Sequence, residues 1–339
     1  MNSREIVRKA WQITQVHLKK LIWYGVVPAF FSTVVSSGYL AYQYNAFRTS
    51  ELFSDEPHSL KPFFTTVWSV VSGHPWGTVA FVIFAILFGI AYIVIPPIFK
   101  GTLIEAVMRI RDYKPIGGSV EIGLRRFFPL FEFGIVTGTF SILTLFTEGS
   151  FVLRWWGVNV FFVALPILLF VAMVGLIASF LFTYADYFIV LENKHLIESI
   201  KESVILVISN FRKTILIFIL MALIAVRVIL NVVLVLLIPM GLVALGGYFV
   251  SSFTSTIVLT VAGIVGIAML MVSSYLLGLF HIFSTAVWVF TFAVFSHREE
   301  PKAPAASHPG PASAHHPVPP APAPAHTPPL APASVTSAF

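Results

Sequence analysis

Six apolar stretches, at about 21–44, 76–99, 129–150, 158–183, 214–239 and 257–294, constrain this chain more than any motif in it. Each is at least as long as the roughly 20 residues a helix needs to cross the hydrocarbon core. The fold class they predict is all-α, a polytopic membrane helical bundle of six transmembrane helices. Composition agrees, because 57% of the residues are hydrophobic and only 11% are charged, outside the range of ordinary water-soluble domains.

The basic residues alternate between the two sides of these stretches. The N-terminus, the segment after the second stretch, the segment after the fourth and the tail hold 17 of the 21 Lys and Arg. The opposite loops hold three, Arg48, Lys61 and Arg154, and Arg227 lies inside a stretch. Positive-inside bias then puts both termini in the cytoplasm. The net charge of +6 flanks spans, which points to anionic headgroups of the bilayer as partner and away from nucleic acid. With no cysteine, disulfides, thiolate metal sites and cysteine nucleophiles are excluded. The N-terminus lacks the short apolar core and small-residue cleavage site of a signal peptide, so the first span reads as an uncleaved signal anchor.

The last stretch is nearly 40 residues long, enough for one tilted helix with an extramembrane extension or for two crossings. The fifth is followed by Pro239, Met240, Gly241 and an uncharged patch to Val250, expected at the outer interface.

Residues 3–20 carry Ile6, Ala10, Ile13, His17 and Leu21 on one helical face and Arg4, Arg8, Gln12, Gln15 and Lys19 opposite. That amphipathic pattern predicts a helix lying in the membrane plane. Trp11 and Trp23 suit an interfacial depth, and Arg8, Lys19 and Lys20 suit the headgroups. Residues 194–213 repeat the design and align without gaps at an offset of 193, Lys19-Lys20 matching Arg212-Lys213. A third segment, Gly101 to Arg126, is broken at Lys114-Pro115-Ile116-Gly117-Gly118 into two expected short helices and ends in Arg125-Arg126. The chain thus reads as three parallel repeats, each a surface helix followed by a two-span hairpin.

Residues 45–75 are the one sizeable outer loop. Residues 299–339, rich in Pro, Ala, Ser and His, read as a disordered cytoplasmic tail with polyproline II character. The tail histidines His308, His315, His316 and His326 lack acidic partners, and no metal site is expected there.

Arg227 is the sharpest single residue. An arginine near mid-span costs roughly 2.5–3.5 kcal/mol on insertion scales, so it is expected to face the interior and be paired. Asn231 lies one turn on, and Glu132 and Asp186 are the acidic candidates toward the cytoplasmic side. Two uses are open: a site for an anionic headgroup, phosphate or carboxylate, or a structural ion pair. Glu192 is placed to cap the helix that follows it. His281, the only histidine inside an apolar run, is expected to be structural rather than a proton relay. No P-loop, zinc-protease pair or nucleophile elbow occurs, the acidic residues do not cluster, and no cofactor is implied.

Gly101-Thr102-Leu103-Ile104-Glu105-Ala106-Val107 with Arg111-Asp112-Tyr113-Lys114-Pro115, and Val190-Leu191-Glu192-Asn193 followed by Ile197-Glu198-Ser199-Ile200-Lys201-Glu202-Ser203, resemble a bacterial six-span family. It includes the membrane domain fused to some glycerophosphodiester phosphodiesterases and its integral membrane relatives. The resemblance spans residues 1–295 and implies a helical bundle in the bacterial cytoplasmic membrane, without catalysis and without assigned functional residues. The function expected is non-enzymatic: binding or organising lipid, or scaffolding a membrane-protein partner. The competing expectation is a transporter or channel for a small or lipid-like anionic solute.

Overall fold

The computed structural model describes residues 3–48, 73, 75–249 and 255–296. Among them are ten helices: α1 (Ser3–Arg48), α2 (Pro75–Arg111), α3 (Ser119–Arg125), α4 (Phe127–Gly138), α5 (Ile142–Trp155), α6 (Gly157–Leu181), α7 (Ala185–Leu191), α8 (Leu196–Ser209), α9 (Phe211–Phe249) and α10 (Ser255–Phe295). Helices α1, α2, α6, α9 and α10 are each long and apolar enough to cross a membrane, and α4 with α5 makes a sixth if the bent pair counts as one span. Among the described residues the secondary structure is therefore all helical, with several helices suited to a multi-pass membrane bundle. The outer loop and the tail lie outside the described residues.

The third apolar stretch departs from its expected form. It is two helices bent by 44° rather than one. Ser141 ends the first arm's register by capping the second: its Oγ accepts the Thr144 amide at 3.2 Å, and the Thr144 hydroxyl donates to the Gly138 carbonyl at 2.9 Å. Gly138, Thr139 and Ser141, close together, favour such local bonds over a continuous helix.

The helix expected to lie in the membrane plane is instead the first part of α1. Nothing in Leu18-Lys19-Lys20-Leu21-Ile22 breaks a helix, so 46 residues run on unbroken. At 1.5 Å per residue that is about 69 Å, more than twice the hydrocarbon thickness. The amphipathic face is covered by protein rather than by lipid: Ile6, Ala10 and Thr14 are buried, and Trp11 meets the Phe283 ring edge-on at 5.6 Å.

Residues 101–111 likewise continue the second stretch as one helix, and only Ser119–Arg125 forms the expected short helix after the Lys114–Gly118 break. The segment matched in sequence to residues 3–20 behaves differently, since α8 stops at Ser209, Asn210 caps it, and α9 starts anew at Phe211. The patch after Pro239 belongs to α9, which runs to Phe249. The long last stretch is a single helix, so its two-crossing alternative falls.

The packed core lies at the end of the bundle that carries the basic segments. It gathers Ile6 and Ala10 of α1, Leu103 to Val107 of α2, Tyr184 to Val190, Val207 of α8, and Val287 to Phe295 of α10. Tyr184, fully buried, sits among Trp288, Phe292 and Phe295. The break before α7 is closed by Ser203 of α8, which donates to the Leu181 carbonyl at 2.7 Å and accepts the Tyr184 amide at 3.0 Å. Away from this end the apolar side chains of α2 and α6 are largely exposed, as lipid-facing surfaces are.

Helices α1 and α10 form the most extensive pair and run antiparallel, since Lys9 and Phe290 line one cleft while Gly25 meets Gly278 farther along. A Cβ on Gly25 would stand 2.6 Å from the Gly278 carbonyl, and one on Gly278 would stand 2.7 Å from the Val26 Cα. Only glycines let the two backbones touch, the usual device of helix packing in lipid. The start of α1 and the end of α10 thus lie on the same side.

Candidate functional site

At that end, between α1 and the C-terminus of α2, lies a cleft of about 540 Å³. Lys9, Gln12, Ile13, Val16, His17 and Lys20 supply one wall, at the three- and four-residue spacing that puts side chains on one helix face. Arg111, Tyr113 and Lys114 supply the other, and Phe290 of α10 contributes an apolar edge.

The second wall is shaped by how α2 ends. The Lys114 amide bonds back to the Arg109 carbonyl at 2.8 Å and the Tyr113 amide to the Ile110 carbonyl at 3.2 Å. These are the two bonds of a Schellman cap, whose residue after the C-cap adopts a left-handed conformation. Glycine usually stands there. Here Tyr113 does, at φ 55°, largely exposed to the cleft. A non-glycine in that region costs about 1–2 kcal/mol and marks a site where local conformation is held for some other end. Arg109 holds the rest of the turn: its Nε donates to Glu105 at 2.7 Å and its guanidinium donates to the Pro115 and Gly117 carbonyls.

Basic side chains dominate the lining of the cleft, with Arg111 itself buried, its side chain 4% exposed. Lys9, Lys20, Arg111 and Lys114 line it, and no carboxylate does among the described residues. Asp112 sits behind the wall, 3.6 Å from Arg111 and 3.7 Å from Lys114. His17 is held below its ordinary pKa, first by burial and then by the neighbouring Lys20, so near neutral pH it is an uncharged donor or acceptor. Several cations converging on a partly apolar hollow can hold a phosphate and the glycerol behind it.

The four residues expected to form a ligand site do not meet. Asp186 is buried in α7, where its Oδ2 pairs with Lys100 at 2.5 Å. Glu132 is exposed on α4. Arg227 and Asn231 lie on the exposed face of α9, and Arg227 makes no ion pair among the described residues. The expectation of an interior, paired Arg227 is corrected. The buried side of α9 is taken by Thr214, Ile217, Met221 and Val232, which fixes the opposite side outward. Among the described residues, Arg227 and Asn231 are not brought together with Glu132 and Asp186.

The residues expected at the membrane interface are mostly at the surface. Arg8, Lys19 and Lys20 are exposed on α1, and Trp11 is partly so. Arg125 is exposed and pairs with Glu121 at 2.5 Å, Arg126 is half-buried, and Arg212 and Lys213 are exposed at the start of α9. Glu192 does not cap α8, whose N-cap is His195, and instead pairs with Lys194 at 3.2 Å. His281 lines a separate cavity with Lys100. Sequence reasoning counted Lys9, Arg111 and Lys114 only as bulk charge. The signal that would have joined them is the helix-ending Arg111-Asp112-Tyr113-Lys114-Pro115 beside a second basic helix.

No protein-family model, curated protein or solved structure matches this chain.

Proposed function

We propose that this is a non-enzymatic multi-pass protein of a bacterial cytoplasmic membrane, both termini cytoplasmic, that holds anionic phospholipid headgroups in the cleft between α1 and the end of α2. The observation that carries the reading is the convergence of Lys9, Lys20, Arg111 and Lys114 on one hollow lined by no carboxylate among the described residues. Its position supports it too. The cleft adjoins the apolar region of α1 that begins near residue 21, a level that suits a lipid phosphate, and positive-inside bias favours the cytoplasm for this end. Apolar side chains of Ile13, Val16, Ile116 and Phe290 complete a lining suited to the glycerol and the first methylenes of a lipid.

The test is mild-detergent purification with mass spectrometry of the lipids retained. Wild type and Arg227→Leu should both carry phosphatidylglycerol or another anionic lipid, and Lys20→Gln/Lys114→Gln should lose it while remaining folded. Equal retention by all three folded proteins would overturn the assignment.

A further inference from the structure

We propose a second ligand site, independent of the basic cleft: a cavity between α1, α2, α4 and α10 that binds the carboxylate head of a single-chain amphiphile. The cavity is about 380 Å³. Pro28 of α1 and the Pro96-Pro97 pair of α2 line it. Proline removes a helical N–H and pushes its own turn apart, and three such residues at one level account for open space inside an otherwise helical junction.

Its polar groups are few and convergent. Lys100 and His281 both line it, with Ser32 beside them. The Lys100 ammonium has three donors. One goes to Asp186 at 2.5 Å and the Phe133 ring lies 5.7 Å away, while the side chain stays 40% exposed. His281 makes no hydrogen bond among the described residues. A cavity-lining imidazole with no partner, next to a lysine with donors to spare, is a pair of hydrogen-bond donors awaiting an oxyanion. The remaining lining, Leu130, Leu277 and Phe280, is apolar and suits a hydrocarbon chain. The volume lies at the low end of small-molecule sites and decides between the candidate anions. It suits one chain with a compact head.

Charge balance adds a consequence. Asp186 already neutralises Lys100. The other lining elements, α1 and α4, present no charged side chain to the cavity, and α10 presents only His281. A bound carboxylate would therefore bring one net negative charge, which the spare Lys100 donors and the His281 imidazole would hydrogen-bond.

The experiment uses the full chain in phosphatidylcholine nanodiscs with dodecanoate labelled at its carboxyl carbon, read by carbon NMR. Wild type should show one bound, ionised carboxylate resonance per protein, distinct from dodecanoate in the bilayer. His281→Gln should weaken binding at least tenfold, and Lys100→Gln/Asp186→Asn, which removes the pair without leaving a lone charge, should abolish the resonance. If the double variant fails to fold, His281→Gln decides alone. No distinct resonance in wild type, or an unchanged one in folded His281→Gln, would overturn the site.

Discussion

Lys100 Nζ lies 2.5 Å from Asp186 Oδ2, and this contact ties the second long helix to the short helix α7. The Asp186 side chain is 11% exposed, and its other oxygen has no hydrogen-bond partner among the described residues. Removing the cation should therefore cost more than the pair itself is worth. A fully buried charge left alone costs about 3–5 kcal/mol. Because Lys100 is 40% exposed and partly screened, about 1–3 kcal/mol is expected for Lys100→Met. Lys100→Met/Asp186→Leu should recover most of that loss. Thermal unfolding in detergent reads both, and a double variant no more stable than the single one would contradict the pairing.

Gly278→Ala should destabilise the bundle by about 1–3 kcal/mol, the range for overpacking a close contact. The added methyl meets the Val26 backbone at 2.7 Å, and a backbone yields less readily than a side chain. Gly263→Ala, in the same helix with nothing within 4 Å, is the control and should be neutral or slightly stabilising. The comparison is of unfolding midpoints in one detergent. Equal midpoints for the two variants would refute the α1–α10 contact.

Tyr113→Gly should separate stability from binding. Glycine relieves the left-handed strain at φ 55°, worth about 1 kcal/mol, so the variant should unfold later than wild type. It also strips a side chain from the cleft wall, so retained anionic lipid should fall. A variant both more stable and unchanged in lipid content would remove Tyr113 from the site.

Much of the architecture was legible in the sequence, and the reasons for the exceptions are local. Stretch length gave every long helix, because crossing lipid demands about 20 apolar residues whatever the neighbours. The Lys114–Gly118 break was legible from Pro115 and the glycine pair. The bend at Ser141 was not, because serine and threonine act there through specific hydrogen bonds rather than composition. The amphipathic face of residues 3–20 was legible in part, since Ile6, Ala10 and Leu21 are buried while Ile13 and His17 line the cleft with Gln12; its covering was not, because a helical wheel cannot distinguish lipid from a neighbouring helix. Arg227 illustrates the same limit. Its insertion cost is a property of the residue, but which side of α9 faces the bundle is set by Ile217 and Met221 packing inward.

Headgroup binding should strengthen on acidification. His17 is held below its ordinary pKa by burial and by Lys20, and Lys9, Arg111 and Lys114 face the same hollow. A bound phosphate offsets those charges and raises the His17 pKa in the complex. By linkage, affinity must then rise as pH falls through the window between the lowered free value and the raised bound one. Phosphatidylglycerol is the suitable probe, because its single phosphate stays ionised across that window. His17→Gln should flatten the profile below neutral pH, and a wild-type profile already flat there would remove His17 from the site.

The most direct measurement is a titration of delipidated protein with phosphatidylglycerol and with phosphatidylcholine, for wild type and Lys20→Gln/Lys114→Gln, by native mass spectrometry. Each lysine near an anionic surface is worth about 1 kcal/mol, so the double variant should lose roughly 30-fold in phosphatidylglycerol affinity and nothing for phosphatidylcholine. Wild type that fails to prefer the anionic lipid, or a folded double variant that keeps the preference, would contradict a headgroup site between α1 and the end of α2.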